Sequence, residues 1–375
     1  MTVSPTKPLT PTHVKYLLSL DMLQRATSGS AAVTVAYRHA NYAASPQVAG
    51  FWDHLERHHP DAVYSAMAEE DIGELYIAYH RAEDKPPHAL IATTLDKAAS
   101  GWVHPATARL LDIWEDHYRL LGLVDPFLGR HGPELADEAD VLRLLVERHL
   151  CIDGRSCGAP VFLDGTAAGY PLRAIIGADG QRNYLLYLLR ELIPLLDDYD
   201  LVVLAHDTEL RTDYQIVQHV LVSLGAAVTR FEVPRVPTDG STRSARHGGW
   251  RGYTLGSYAG ALVAEFGLAA FRLGLRLYLV GSLGRTAKQS FSTEHARRWS
   301  RRATRLLADG GDGWDPATVA AAGVFLERAV ARRGYADPNQ VATAILGQGA
   351  DVPVRGLAGI VLGTAIMRDP LSVRR

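Results

Sequence analysis

The chain has 375 residues, a formal net charge of −2, and 47% hydrophobic and 21% charged residues. These values exclude a broadly basic nucleic-acid binder and fit a globular protein of two or three domains, although a local basic patch stays open. The N-terminus lacks the apolar core of a signal peptide, and charged residues interrupt the longest apolar stretch (253–282). We therefore expect a cytoplasmic protein with no membrane span. Cys151 and Cys157 are expected to be reduced thiols, with a local disulfide as the alternative.

Residues 1–150 are predicted to be mostly helical. Apolar side chains recur at helical spacing in 14–23 and again in 105–121. Residues 137–150 predict a further helix whose outer face is charged, whereas residues 30–38 predict a short strand.

Residues 151–292 show a different pattern, in which short apolar runs alternate with amphipathic helices. Four of the runs predict buried strands, at 159–164, 201–207, 227–233 and 275–280. Continuous apolar strands that alternate with helices are typical of a parallel sheet covered on both faces. We therefore predict an α/β fold, with a Rossmann-like parallel sheet core at 151–292 between helical regions at 1–150 and 293–375.

The C-terminal region (293–375) is predicted to contain several helices. Helix starts are indicated at Thr293, at Asp315-Pro316 and at Asp337-Pro338, where a capping side chain stands next to the first turn. Arginines along the first of these helices predict a solvent-exposed face, and contact with an RNA backbone is the alternative.

Parallel sheets bind ligands beyond the carboxyl ends of their strands. This rule selects three groups of residues: Asp164 with Gly165, His206 with Asp207 and Glu209, and the loop that follows 275–280. A histidine with two acids can bind a ribose, a magnesium ion or a substrate amine. The alternative for the second group is structural, since Asp207 can cap a helix N-terminus.

The glycine-rich segment 164–181 is a candidate nucleotide-binding loop. Glycines let the backbone approach a ligand closely, and the helix that begins near its end offers amide groups to an anion. The candidate residues are Gly165, Gly169, Gly177, Asp179 and Gln181. An ordinary flexible connection between strand and helix is the alternative.

A second loop, 243–253, interleaves basic and aromatic residues. Arg246 and Trp250 are the candidates for contact with a substrate, because such pairs stack on a base or bind a phosphate. A solvated loop without a ligand is the alternative.

Lys288 is singled out by its isolation, since no other lysine follows Lys97. An ammonium acts as a mobile point charge on phosphate oxygens, whereas the arginine used elsewhere in this chain is a rigid fork. Lys288 therefore indicates phosphate handling, with chance placement as the alternative. The sequence has no Walker loop, no Gly-x-Gly-x-x-Gly after a strand and no Gly-x-Ser-x-Gly elbow.

The segment Lys288-Gln289-Ser290-Phe291-Ser292 resembles a relaxed KMSKS loop of the class I aminoacyl-tRNA synthetases. Leu172 to Gly177 with Asp179 resembles the segment after the HIGH motif in arginyl-type members, and the helix from Asn183 to Leu192 is similar to the one that follows HIGH in cysteinyl-type members. The position expected for HIGH itself reads Ala168-Gly169-Tyr170-Pro171, which has no histidine.

The resemblance implies an ATP-dependent enzyme, with Mg²⁺ as companion of the nucleotide, that activates a carboxylate as an acyl-adenylate. In this hypothesis Lys288, Asp164 and His206 form the catalytic group and converge on one cleft, while Ser290 and Ser292 donate hydrogen bonds to the nucleotide. The missing HIGH histidines favour a small-molecule ligase of specialised metabolism acting on an amino acid or related carboxylate. Two alternatives stay open: a Rossmann-like transferase with a nucleotide-linked donor, and a non-catalytic descendant that binds tRNA or a partner protein.

Overall fold

The computed structural model describes residues 4–36, 45–84, 88–124, 128, 135–242, 244, 247–283, 289–308, 315–347 and 352–364. Helices dominate this part of the chain. The α-helices are α1 (Pro11–Thr27), α2 (Pro46–His58), α3 (Glu69–Arg81), α4 (His88–Ala99), α5 (Pro105–Leu121), α6 (Glu138–Glu147), α7 (Tyr184–Leu192), α8 (Arg211–Ser223), α9 (Leu255–Phe266), α10 (Leu268–Arg276), α11 (Thr293–Ala308), α12 (Pro316–Arg333), α13 (Pro338–Gly347) and α14 (Val354–Leu362). No helix among these residues is both long and apolar enough to cross a membrane.

The helix starts predicted at Asp315-Pro316 and Asp337-Pro338 are confirmed by their caps, whereas α11 begins at Thr293 with Ser292, not Thr293, as its capping residue. The Asp315 side chain accepts hydrogen bonds from the amides of Ala317 and Thr318 at the start of α12. Asp337 accepts from the amide of Asn339 at the start of α13, and proline occupies the first turn of both helices. Amides in the first turn of a helix have no acceptor within the helix, so proline, which has no amide hydrogen, fits there.

The strands form two small sheets. An antiparallel sheet holds β1 (Cys151–Asp153), β2 (Val161–Leu163) and β3 (Arg173–Ile176), in that order. A parallel pair holds β4 (Val202–Asp207) and β5 (Val228–Val233), in register from Val202 opposite Val228 to Asp207 opposite Val233. Both cysteines are free thiols, as predicted.

The prediction of a single four-stranded parallel sheet is therefore wrong for two of its four segments. The run 159–164 does form a strand, but β2 pairs antiparallel with both of its neighbours, because short connections join them. The run 275–280 is helical: α10 continues into a turn of π-helix (Leu277–Ser282). A short apolar run that is buried on all sides fits a helix as well as a strand. The fold is mixed α/β, and a Rossmann-like core is not confirmed.

The strand predicted at 30–38 is also wrong for the residues that the structure describes. Residues 31–36 have no regular secondary structure, and residues 37 and 38 lie outside the described ranges. Val35 packs against the cluster that contains Phe231 and Val233, without strand pairing among the residues described.

The parallel pair lies between two helices, because its side chains alternate between two cores. Ala205, Phe231 and Val233 face α1, where they pack in one cluster with Tyr16 and Leu20. Leu204 and Val228 face the other way and pack in a cluster with residues of α7 and α8. This alternation is the period of two expected for strands, and it gives a local helix–sheet–helix layering.

The largest core is helical and joins the two ends of the chain. It contains residues of α1, α2, α3 and α5 together with residues of α9 to α14. Gly274 lets α10 and α11 approach closely, since a Cβ there would lie 2.5 Å from the Cα of Ser300. Residues 255–283, which the sequence had grouped with the nucleotide core, thus pack with the helical regions.

A buried ion pair fixes α1 within this helical core. Arg276 on α10 donates to the carboxylate of Asp21 on α1, and both side chains are almost fully buried, at 1% and 0% exposure. Asp21 also accepts from Arg25 and from the backbone amide of Val124. Arg276 further donates to the carbonyl of Leu121 at the end of α5. The Asp21 carboxylate and both Nη atoms of Arg276 are thus hydrogen-bonded, as a buried charge requires, although Arg276 Nε has no partner among the described residues.

Replacing Asp21 by Asn should strongly destabilise the fold, because it leaves the Arg276 guanidinium buried without a counter-charge. We expect a loss of about 3–5 kcal/mol in the free energy of unfolding, measured by urea denaturation. The control is Asp140→Asn, which breaks the exposed pair with Arg143 (65% and 62% exposed) and should change stability by less than about 1 kcal/mol. Equal effects of the two variants would contradict this role of the buried pair.

Candidate functional site

Polar side chains meet at the carboxyl ends of β4 and β5. Arg235, just beyond β5, donates from Nε to Asp207 Oδ2 (2.7 Å), and its Nη2 lies 2.7 Å from Glu209 Oε2. Asp207 is 8% exposed and Glu209 is 60% exposed, so one acid is buried beneath the arginine and the other reaches solvent. Asp207 Oδ1 also accepts from the amide of Glu209 (2.9 Å), which is the capping role weighed for it above. We call this place the carboxyl edge.

The start of α1 reaches the same edge. Thr12 Oγ1 accepts from the amide of Val236 (2.9 Å), three residues after β5 ends. The Tyr16 hydroxyl donates to the carbonyl of Ala205 in β4 (3.2 Å), so the first turns of the helix lie against both strands. Thr10 and His13 cap the helix reciprocally, since the Thr10 hydroxyl accepts from the His13 amide and His13 Nδ1 accepts from the Thr10 amide.

Residues 289–292 complete the edge. The amide of Phe291 donates to the carbonyl of Pro237 (2.8 Å), and Ser290 Oγ accepts from the amide of Gly240 (2.8 Å). The Tyr278 hydroxyl accepts from the amide of Ser292 (2.9 Å). The Ser292 hydroxyl accepts weakly from the His295 amide (3.4 Å), at the start of α11. Ser290 and Phe291 therefore contact the loop that follows β5, the loop to which Arg235, the partner of Asp207, also belongs.

Trp250 belongs to this loop but is buried, at 2% exposure. Its ring packs against Gly73 of α3, where an added Cβ would lie 2.6 Å from the ring and 2.7 Å from Pro8. The neighbouring Arg251 forms an ion pair with Glu74 of the same helix. Trp250 therefore anchors the loop to α3 and to the segment before α1, and it does not present a free stacking surface.

His206 is a core residue of β4. It has 0% exposure, its ring stacks on Tyr214 of α8 at 4.9 Å, and its Nδ1 lies 2.9 Å from the carbonyl of Asp207. Burial lowers the pKa of His206, which keeps the ring neutral near pH 7. The structure does not bring the side chain of His206 together with the polar groups of the carboxyl edge.

Asp164 lies toward the opposite end of the parallel pair. Hydrogen bonds from the hydroxyl and amide of Thr166 lower the pKa of Asp164, and the nearby charge of His219 lowers it further. His219 follows Gln218 on α8, whose side chain donates to the carbonyl of Val228 at the beginning of β5. Since β2 is antiparallel and not part of the parallel sheet, the rule that selected Asp164 does not apply to it.

The glycine-rich loop is part of the same antiparallel unit as Asp164. Gly165 and Gly169 flank a short 3₁₀ turn, and Gly177 begins a tight turn in which Asp179 Oδ1 accepts from the amide of Gln181 (3.0 Å). α7 begins after this turn at Tyr184, and the side chain of Asn183 accepts from the Leu185 amide. These residues have local structural roles, and their part in nucleotide binding stays a prediction.

Two of the predicted site residues, Lys288 and Arg246, lie outside the described residues. The described residues on either side of Lys288 are Leu283 and Gln289, and those on either side of Arg246 are Ser244 and His247. Near the first, Ser290 accepts a hydrogen bond from Gly240 in the loop after β5. Near the second, the carbonyl of Gly249 accepts one from Thr238 in the same loop.

A buried polar group between α3, α5 and the start of α9 was not predicted from the sequence. Glu69 of α3 is 4% exposed, and Glu69 Oε1 lies 3.8 Å from His117 Nε2 of α5. Backbone groups of Leu9 and Gly256 lie within reach of the Glu69 carboxylate, whereas the Tyr258 hydroxyl has no hydrogen-bond partner among the described residues. Burial, followed by the charge of Glu70, raises the pKa of Glu69 to about 8. Burial lowers the pKa of His117 to about 4. Glu69 and Glu70 look like ordinary first-turn acids of a helix, so no local signal marks the first as buried.

The buried carboxyl of Glu69 should make the fold lose stability as pH rises. Its folded pKa lies above the ordinary value of 4.5, so its contribution is complete below pH 4.5 and is lost as pH rises through 8. Glu69→Gln stays neutral, and we expect its stability relative to the natural protein to rise by on the order of a few kcal/mol between pH 5 and 8. Urea midpoints at several pH values measure this.

The control for Glu69 is Glu74→Gln on the same helix. The hydrogen bond from Arg251 lowers the pKa of Glu74, so that group stays charged from pH 5 to 8 and the effect of its loss should be constant there. Stability curves of Glu69→Gln and the natural protein that run parallel over this range would contradict the account.

The start of α1 and Arg235 were also missed as parts of the edge. Thr12 and Val236 are 224 positions apart, and Asp207 and Arg235 are 28 apart, so their contacts depend on the fold. The sequence does mark the start of α1, where Thr10 and Pro11 are followed by a histidine in the first turn. Because such residues match an ordinary helix cap, this pattern indicates a structural role and not a binding site.

Helical layers surround a small α/β unit, with polar loops at the carboxyl ends of its parallel strands, and a solved structure shares this fold. The solved structure of Thermus thermophilus arginyl-tRNA synthetase matches with a TM-score of 0.59, covering 96% of this chain and 78% of that one. The two sequences are 12% identical, so the likeness shows the fold alone. No family model matches the sequence, and no curated protein matches it. The likeness of fold agrees with the resemblance noted from the motifs and goes no further than the fold.

Proposed function

We propose that this protein is a nucleotide-dependent enzyme that activates a carboxylate, that of an amino acid, as an acyl-adenylate at the carboxyl edge. One observation carries the proposal: four segments distant in sequence bring hydroxyl, carboxylate and guanidinium groups to the ends of β4 and β5. Ligands of parallel α/β sheets bind at this edge. The fold likeness to a synthetase over 96% of the chain supports the same class of reaction.

In the proposed reaction, a carboxylate oxygen of the substrate attacks the α-phosphorus of ATP, and pyrophosphate leaves. The α-phosphorus bond to the bridging oxygen breaks as the new oxygen–phosphorus bond forms. Lys288, next to the Ser290 segment, would neutralise the charge that develops on the departing phosphates. Glu209 is the acid that can receive a substrate amine, since it is 60% exposed while Asp207 is held beneath Arg235.

The first turns of α1 are the proposed counterpart of the HIGH segment. His13-Val14-Lys15-Tyr16 lies where the first helix meets the parallel pair, whereas Ala168–Pro171 lies in the antiparallel unit. The stretch begins with a histidine, and Tyr16 stands at its fourth position, bonded to Ala205. Burial lowers the pKa of Lys15 to about 8, so a second amine with a lowered pKa, still mostly charged at pH 7, lies in this turn.

A second candidate function, a non-catalytic descendant that binds tRNA or a partner protein, is favoured by a different observation. Several groups with catalytic potential are committed to the fold: His206 is stacked on Tyr214, Tyr16 is bonded to Ala205, and Trp250 is packed on Gly73. A chain that had lost activity would keep such structural contacts while its edge served binding alone.

ATP–pyrophosphate exchange with pooled amino acids, with and without bulk tRNA, separates the two functions. We expect exchange that depends on an amino acid. Lys288→Met should reduce exchange by about 10²–10³-fold, as expected when one preorganised stabilising group is lost. The control Lys97→Met removes an exposed lysine (51%) that lies beside Glu56 and should leave exchange unchanged.

Turnover that is unchanged in Lys288→Met would contradict the proposed mechanism. An absence of exchange under every condition, together with retarded migration of tRNA on a native gel, would support the binding descendant instead. A thermal shift with a sugar nucleotide and none with ATP would favour the transferase.

A further inference from the structure

A cluster of two histidines and an aspartate lies on the N-terminal helices. His54 and His58 are one turn apart on α2, and Asp84 follows the end of α3. One ligand atom from each of the three lies within 4.8 Å of the others. His58 Nε2 already lies 2.9 Å from Asp84 Oδ2, so two of the three groups are in contact.

His54 gives an independent sign that a ligand belongs in this cluster. The residue is only 5% exposed, and its Nδ1 is buried with no hydrogen-bond partner among the described residues. A buried ring nitrogen left unpaired is costly, and such atoms are few in folded proteins. The ring packs against those of His58 (4.4 Å between centroids) and Tyr79 (5.6 Å), which holds it in place beside the other two groups.

We propose that His54, His58 and Asp84 form a Zn²⁺ site. Two histidines at positions i and i+4 of one helix face present their nitrogens to the same ion, and a carboxylate is a common third ligand. At Zn–ligand distances of about 2.0–2.2 Å, tetrahedral ligand atoms lie roughly 3.3–3.5 Å apart, so small side-chain rotations from the present separations are enough. The fourth position is open to water.

The charges around the cluster are compatible with a bound cation. Arg57 Nη1 lies 3.0 Å from Asp84 Oδ2, and Arg57 Nη2 donates to the Asp84 carbonyl (3.4 Å). Arg57 also donates from Nε to Asp53 Oδ2 (2.8 Å), so it keeps a counter-charge if the metal takes the Asp84 carboxylate. In the absence of metal, Arg57 and His58 hold Asp84 in position for the ion.

A metal here would fasten α2 to the segment after α3. Neither His58 (41% exposed) nor Asp84 (53% exposed) is otherwise buried, so the ion would close an exposed corner of the helical core. The site uses no residue of the carboxyl edge, so its test does not depend on the proposed function.

The test uses the full chain stripped with chelator and titrated with Zn²⁺ alone by calorimetry. We expect one Zn²⁺ per chain and a rise in melting temperature on saturation. Co²⁺ alone should give the intense visible absorption of a tetrahedral site. His58→Gln and Asp84→Asn change exposed side chains, so both variants should fold. Each should weaken Zn²⁺ binding by at least about 10–100-fold, which is the loss typical of residues that only hydrogen-bond to a metal ligand. His219→Gln, a histidine on α8, is the control and should bind as the natural chain does.

Zn²⁺ affinity that is unchanged in both His58→Gln and Asp84→Asn would overturn the site. The same conclusion would follow if the natural chain bound no stoichiometric Zn²⁺, or if His219→Gln lost binding as fully as the cluster variants did.

Discussion

The buried pair between Asp21 and Arg276 is the constraint on which the rest of the structure depends. It joins α1 to α10 and, through the carbonyl of Leu121, to the end of α5. A charge at 0% exposure must be matched by a partner of fixed geometry, so the pair determines how α1 sits in the helical core. The opposite end of the same helix contacts β4 and β5 through Tyr16 and Thr12. The position of α1 in the helical core therefore also fixes where its first turns contact the carboxyl edge.

The sequence predicts those elements whose pattern is local. α1, α5, α12 and α13 have periodic apolar faces or a cap followed by proline, β4 is an apolar run that ends in polar residues, and β5 alternates apolar with polar residues. The orientation of β2 and the helical state of 275–280 depend on contacts with residues distant in sequence. A buried apolar run has no period to distinguish helix from strand, and no local pattern distinguishes parallel from antiparallel pairing.

The candidate site could be predicted only in part for the same reason. Asp207, Glu209, Ser290 and Ser292 were selected from the sequence. The structure pairs the two acids with Arg235 and bonds Ser290 to Gly240 of the loop that follows β5, and their part in a binding site stays a prediction. Arg235 and Thr12 complete the edge through contacts across the fold, while Asp164 belongs to a separate antiparallel unit. His206 and Trp250 have the chemistry of site residues but are used by the core, which composition alone does not reveal.

The most direct test of the central claim is where a nucleotide protects the backbone from hydrogen exchange. The measurement compares the free protein with the protein saturated by a non-hydrolysable ATP analogue, read by mass spectrometry of peptides. The account predicts protection in residues 10–16, 207–210, 234–242 and 289–292, which form or adjoin the carboxyl edge, and in the peptide that contains Lys288. Protection confined to residues 161–181, or no protection anywhere, would contradict it.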